Sequence, residues 1–378
     1  MKIYLNDNVY DKALERIRWL FSEFETVIVN FSGGKDSTTV LGLTLQVAEE
    51  LGRLPIPVVF IDQELEYQNT VDYVERTMKD DRIIPYWIQV PVKMTNNAAQ
   101  SAWITIWEPG GEWMRDKHPV AFHDNIFGAE RFYDLFGCVA DYISDGKPHV
   151  KIAGVRAEES PARLKGLTSY VTYGGETWGK KENERKGQFT MYPVYDWSYT
   201  DVWHYIESHG LDYNKIYDHM YRYGVANNQM RVSSLHHETS LPALFRLQEI
   251  EPDTWAKVVN RLEGATAVQQ LDREFLAASK LPPMFRDWEE YRDHLLENLI
   301  ADVERKAHYR KMFAQWCARY EDIVQPELIK AQIKTILTDD IDGQKLTVFA
   351  ASHGMYSKNR GSKGGSEDGR KYHARMSK

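Results

Sequence analysis

The chain has 378 residues, 43% of them hydrophobic and 27% charged, which is ample for a packed core and suggests two or three domains. It has no apolar run of about 18 residues to cross a membrane, and its N-terminal stretch MKIYLNDNVYDKALERI lacks a secretion signal's apolar core, so a cytoplasmic location is expected. A formal net charge of -8 excludes a generally basic nucleic-acid coat, and only Cys138 and Cys317 occur, which argues against a disulfide framework, an iron–sulfur cluster or a cysteine-rich zinc site.

Along the chain, Leu14, Ile17, Leu20, Phe21 and Phe24 predict a one-faced helix over 9–24. TVIVNF (26–31) predicts a buried parallel strand, and after a polar glycine turn TTVLGLTLQVAEELG predicts a helix stopped by Gly52. PVVFID (57–62) predicts a second strand, 65–79 a helix, and IIPYWIQVPV (83–92) contains a third strand. Residues 93–127, with Trp103, Trp107, Trp113 and the EPGGEW turn, read as irregular, and 128–144 as helical. VKIAGV (150–155) is another strand. Residues 164–189, rich in Gly, Lys and Glu without periodicity, read as a mobile loop. A strand near 190–194 leads into a helix opened by a Ser198–Asp201 capping box and ended by Gly210. From about 240 to 335 the pattern is helical. Over 351–378, seven Lys/Arg against Glu367 and Asp368 leave a surplus of five positive charges in a Gly- and Ser-rich stretch, which reads as a flexible basic tail. The expected fold is α/β, a doubly wound, mainly parallel sheet with a helical C-terminal region. Its expected division is 1–235, 236–345 and 346–378.

The strongest chemical signal is Ser32-Gly33-Gly34-Lys35-Asp36-Ser37, between a strand and a helix. Adjacent glycines let several N–H groups turn onto one anion, and the following helix adds its positive end. A Walker A loop is excluded, since position 29 is Val where that pattern needs Gly and Asp36 separates Lys35 from Ser37. The segment resembles the PP-loop of ATP pyrophosphatases, SGGxDS after the first strand. That resemblance implies an adenine nucleotide alpha hydrolase-like fold and cleavage of ATP between its α- and β-phosphates.

Two further segments narrow the resemblance. FIDQELEYQNT (60–70) is similar to the second-strand end of phosphoadenosine phosphosulfate (PAPS) reductases, which places Asp62, Gln63 and Glu64 near the nucleotide. Gly154-Val155-Arg156-Ala157-Glu158-Glu159-Ser160-Pro161-Ala162-Arg163 resembles the G-[IVL]-R-x-x-E-S-x-x-R segment of PAPS reductases and of the sulfate adenylyltransferase small subunit. Gly154 would allow close approach of the backbone to the nucleotide. Arg156 and Arg163 offer forked donors to phosphate or sulfate, and Glu159 and Ser160 would orient them or bind directly. YPVYDWSYTDVWHYIESHGLDYNKIYD (192–218) matches the same families at Pro193, Trp197, Asp201 and Trp203, aromatics read as walls of the site. Lys35, Asp36, Arg156 and Arg163 are the expected catalytic groups, and Asp36 and Asp62 the candidate magnesium ligands. The expected nucleotide is ATP or a PAPS/APS-like relative.

The sequence departs from PAPS reductases at the thiol. YGVANNQMRVSSLHHETS (223–240) has no cysteine, so thiol-dependent reduction is disfavoured. What remains is adenylyl transfer to an oxyanion such as sulfate, or hydrolysis to AMP and pyrophosphate. The alternative is a silent nucleotide-sensing module that regulates a partner. The layout resembles cysteine-poor PAPS reductase-like proteins with a helical extension encoded beside ParB-like proteins, which implies a protein partner for the helices and nucleic acid for the tail. Arg231 and Lys180-Lys181 are candidate substrate or lid contacts, whereas His236-His237-Glu238 is read as helix-start polarity.

Overall fold

In a computed structural model, residues 6–95, 103–227, 230–232, 234–235, 247, 249–262, 281, 283–298, 300, 302–319, 325–337 and 340–352 are described. The chain forms two compact units, one ending at Glu263 and one taking up from Gly264.

The first unit opens with helix α1 (Val9–Glu23), capped by the Asn8 side chain, whose apolar face buries Ala13, Leu14, Ile17, Leu20 and Phe21. Strand β1 (Thr26–Asn30) buries all three middle residues, as a strand covered on both faces must. Helix α2 (Lys35–Glu50) and strand β2 (Ile56–Ile61) follow, then helix α3 (Gln68–Thr77) and strand β3 (Ile83–Ile88). A two-stranded antiparallel hairpin, β4 (Val92–Thr95) and β5 (Trp103–Ile106), precedes helix α4 (Phe132–Ser144). Strand β6 (His149–Ile152), helix α5 (Pro161–Thr168), strands β7 (Gly179–Asn183) and β8 (Gln188–Met191), and helices α6 (Tyr199–Ser208), α7 (Ile216–Arg222) and α8 (Pro252–Arg261) complete it.

The main sheet runs β3-β2-β1-β6-β8-β7, parallel throughout except β7, which pairs antiparallel to β8. From β1 the chain builds outward to β2 and β3, then returns to set β6 on the other flank of β1. The order therefore reverses between β1 and β6, and a doubly wound sheet opens its crevice at the carboxyl ends of such strands.

Three expectations need correction. The segment expected to be a mobile loop (164–189) contains most of α5, the strand β7 and a 3-10 turn at Glu184–Lys186. Strand β7 reads GKKEN with its last four residues exposed, so it has no apolar alternation for periodicity to detect. The irregular stretch 93–127 holds β5 and the end of β4, too short for a pattern. Residues 346–352, expected to belong to the tail, lie in helix α12 (Gln344–Ser352), which buries Leu346, Phe349 and Ala350. The rest of the basic tail and His236-His237-Glu238 lie outside the described residues.

The second unit is helical. Helices α9 (Trp288–Asn298), α10 (Val303–Arg319), α11 (Gln325–Leu337) and α12 share a core that includes Tyr291, Leu295, Tyr309, Phe313, Leu328, Ile333 and Leu346. Burying each such side chain stabilises the fold by about 1.5–3 kcal/mol.

Candidate active site

The loop Ser32–Ser37 lies after β1, and Gly154–Arg163 lies after β6, so the two strongest motifs meet at the reversal of strand order. Gly33 adopts φ 70°, a conformation that favours glycine, and a Cβ there would come within 3.0 Å of Thr70 Cγ2. Gly34 caps α2 and supplies no side-chain hydrogen bond, which leaves that end of the helix for other acceptors. Ser37 Oγ fixes the turn, accepting from Ser32 N at 3.2 Å and donating to Gly34 O at 2.9 Å, while Ser32 Oγ lies 3.1 Å from it.

Asp36 is the hub of the charges. One carboxylate oxygen takes Lys35 Nζ at 2.8 Å and the other Arg156 Nε at 2.5 Å. Arg156 is buried and also donates to Glu158 and to Trp197 O. Its own N–H donates to Glu159 Oε1 at 2.9 Å, and Arg163 pairs with Glu159 Oε2. Ser160 caps α5, accepting from Arg163 N at 3.2 Å. Gly154 explains itself sterically: a Cβ there would lie 2.6 Å from the Asp36 carbonyl carbon and 2.9 Å from Ser37 N. The two motifs touch backbone to backbone.

Residues that sequence reasoning did not single out also reach the loop. Tyr217 OH accepts from Lys35 N at 3.1 Å, and the Lys35 ammonium lies over the Tyr217 and Tyr199 rings at 5.5 and 5.7 Å. Burial pushes the Tyr217 phenol well up, so it stays neutral and keeps its proton to donate. Asn214 donates to Gly33 O at 3.1 Å and to Thr70 Oγ1 at 2.8 Å. Nothing in their local sequence marks these residues, because their partners lie about 180 positions away.

Asp62 and Gln63 belong to a neighbouring arrangement. Asp62 is fully buried; it accepts from Trp87 Nε1 and Gln89 Nε2 at 2.9 Å, from Arg115 at 2.5 Å and from Glu64 N at 2.9 Å. Gln63 is half-buried, and its carbonyl accepts from Leu65 N. With four donors on its carboxylate, Asp62 does not fit the expected role of magnesium ligand, and Asp36 has both oxygens on cations. Among the described residues no group of three or more His, Cys, Asp or Glu is placed to hold a metal ion. Glu64, also fully buried, takes Arg261 Nε at 2.6 Å and Trp107 N at 2.7 Å. Glu66 beside them is buried, and desolvation together with the Asp62 charge pushes its carboxyl up to about 8.

Neither cysteine enters these arrangements. Cys138 lies on α4, where burial raises its thiol above the ordinary value, and Cys317 accepts from Gln332 Nε2 at 3.3 Å in the second unit.

Residues 26–223 match the phosphoadenosine phosphosulfate reductase domain, and residues 224–345 match a domain of unknown function, DUF3440. The chain is 31% identical over 350 residues to the uncharacterized protein YbdN of Escherichia coli K12, covering 85% of this chain and 82% of that one. It is 24% identical over 212 residues to adenosine 5'-phosphosulfate reductase of Staphylococcus saprophyticus, covering 54% of this chain and 72% of the relative. Among solved structures, PAPS reductase from Candida auris superposes with a TM-score of 0.34 at 14% identity, over 63% of this chain and 99% of that one. FMN adenylyltransferase of Candida glabrata gives 0.36 at 14%, and this chain spans 57% of itself and 64% of that protein.

Proposed function

Since the chain belongs to the phosphoadenosine phosphosulfate reductase domain family, we propose that it binds an adenine nucleotide at Ser32–Ser37 and acts on the α-phosphate of ATP without a thiol. The observation that carries this reading is the head of α2. Its N-terminus has no side-chain cap, and Lys35, Arg156 and the neutral Tyr217 phenol ring it, with Gly154 pressed against its first turn. Such a head offers N–H groups and helix dipole to an anion.

In this reading Gly34 and Asp36 present backbone N–H groups to phosphate oxygens, while the Tyr217 hydroxyl holds the Lys35 N–H. Lys35 and Arg156 offset charge growing on the leaving pyrophosphate, and Asp36 holds those two cations in place. Magnesium, where bound, would accompany the triphosphate as its counterion and offset phosphate charge. The acceptor is an oxyanion or water, giving an AMP adduct or AMP.

Purified chain incubated with ATP and magnesium, with and without sulfate, tests this through its nucleotide products. AMP or an AMP adduct with pyrophosphate is expected, and Lys35→Ala or Asp36→Ala is expected to cut release at least about 100-fold with the fold kept by circular dichroism. Undiminished release in both variants sinks the assignment. Intact ATP held tightly supports the sensing role instead, with a ParB-like or DNA partner as the next object to seek.

A further inference from the structure

The described residues 230–232, 234–235 and 249–261 fall in the match to the domain of unknown function, 224–345, yet they belong to the first compact unit. Val232 Cβ would lie 4.0 Å from a Cβ on Gly34, so this strip of chain passes over the head of α2. Ser234 Oγ and Leu235 N both donate to Leu65 O, at 3.1 and 2.7 Å. Glu251 takes the N–H groups of Gln68 and Asn69, at 2.8 and 3.1 Å, and so caps α3 from outside it. Arg261 pairs with Glu64.

Arg231 in this strip stands apart from the charge pairing. Lys35 and Arg156 meet on Asp36, and Arg163 meets Glu159. Arg231 is exposed, and its Nη2 donates to the main-chain carbonyl of Glu159 at 3.1 Å; among the described residues it meets no carboxylate. A guanidinium with five N–H donors and one bond to a carbonyl keeps both its charge and a forked face. Arg163, 42% exposed along its side chain, converges on the same Glu159 from α5.

We infer that Arg231, with Arg163 beside it, binds the oxyanion group of the acceptor. This deepens the nucleotide reading and rests on it. The chemical class is a sulfate, phosphate or carboxylate, whose paired oxygens match the guanidinium fork. The step served is balanced. An acceptor oxygen bonds to the α-phosphorus, the bond from that phosphorus to the oxygen bridging to the β-phosphate breaks, and pyrophosphate leaves with the electron pair.

The test is equilibrium binding to the full chain. Sulfate, inorganic phosphate and acetate are each titrated calorimetrically at constant ionic strength, with and without an ATP analogue that cannot be cleaved between its α- and β-phosphates. At least one oxyanion is expected to bind, about tenfold more weakly in Arg231→Ala, with partial recovery in Arg231→Lys and unchanged analogue affinity. Absence of binding by all three, or equal oxyanion affinity in Arg231→Ala, overturns the inference. So does a loss of analogue affinity with oxyanion affinity kept. Failure of the analogue to bind wild-type chain defeats the nucleotide reading instead, and the titrations without analogue still read Arg231.

Discussion

At the scale of single residues, the site depends on how closely two loops approach. Gly154 has an ordinary φ, so its requirement is space alone. Gly154→Ala would put a methyl 2.6–2.9 Å from three backbone atoms of Asp36 and Ser37, none of which is the end of a flexible chain. The loops must part, which costs about 1–3 kcal/mol as overpacking does and misplaces the Asp36 hub. The expected outcome is a lower urea midpoint together with weaker nucleotide binding, and a variant with both unchanged would show that the loops are not held in contact. Local spelling brought SGGKDS and GVRAEESPAR forward as candidates, because each gathers its distinctive residues in consecutive positions. It was not enough for Tyr217 and Asn214, whose meaning is a contact made across most of the domain, nor for Asp62, whose position at a strand end is the same whether it faces a ligand or four buried donors.

Among the elements, the loop between β2 and α3 is the most constrained. Glu64 holds φ 66° while fully buried, a conformation that costs a non-glycine residue about 1 kcal/mol or more. Arg261, from the last turn of α8, brings the guanidinium that pairs with this buried carboxylate. Arg261→Ala is expected to destabilise the first unit by about 2–4 kcal/mol, since it strands a buried charge. Glu64→Gly with Arg261→Ala is expected to recover part of that, by removing both the charge and the side chain that resents the left-handed backbone. Denaturant midpoints of the two variants decide it, and no recovery would show that Arg261 acts through packing alone. The parallel strands and α1, α2 and α6 were legible because apolar runs, caps and a stopping glycine all agree there. Strand β7 was not, because its exposed, charged residues carry no apolar alternation, and α12 was hidden by its closeness to a basic tail.

For the molecule as a whole, Glu66 ties stability to pH. In the folded chain its carboxyl keeps the proton to about pH 8, whereas the unfolded chain releases it near the ordinary 4.5. Rising pH through that window draws protons from the unfolded state only. Stability therefore falls, by at most about 1.4 kcal/mol per pH unit from this group, and levels off above pH 8. Glu66→Gln removes the effect, so its stability relative to wild type should grow between pH 5 and pH 8 in urea titrations of the first unit. A difference that stays constant across those values would mean that Glu66 is ionised throughout.

The outer strands of the sheet carry a further consequence, for solubility. At one margin β7 shows the charged side chains of Lys180, Lys181 and Glu182, and at the other β3 exposes Ile84 and then Pro85, which has no N–H, before Phe122 bridges its far end. Neither margin presents a long, flat row of free backbone donors and acceptors. A second copy sliding alongside the main sheet therefore meets charge at one margin and a missing N–H at the other where a strand would otherwise add.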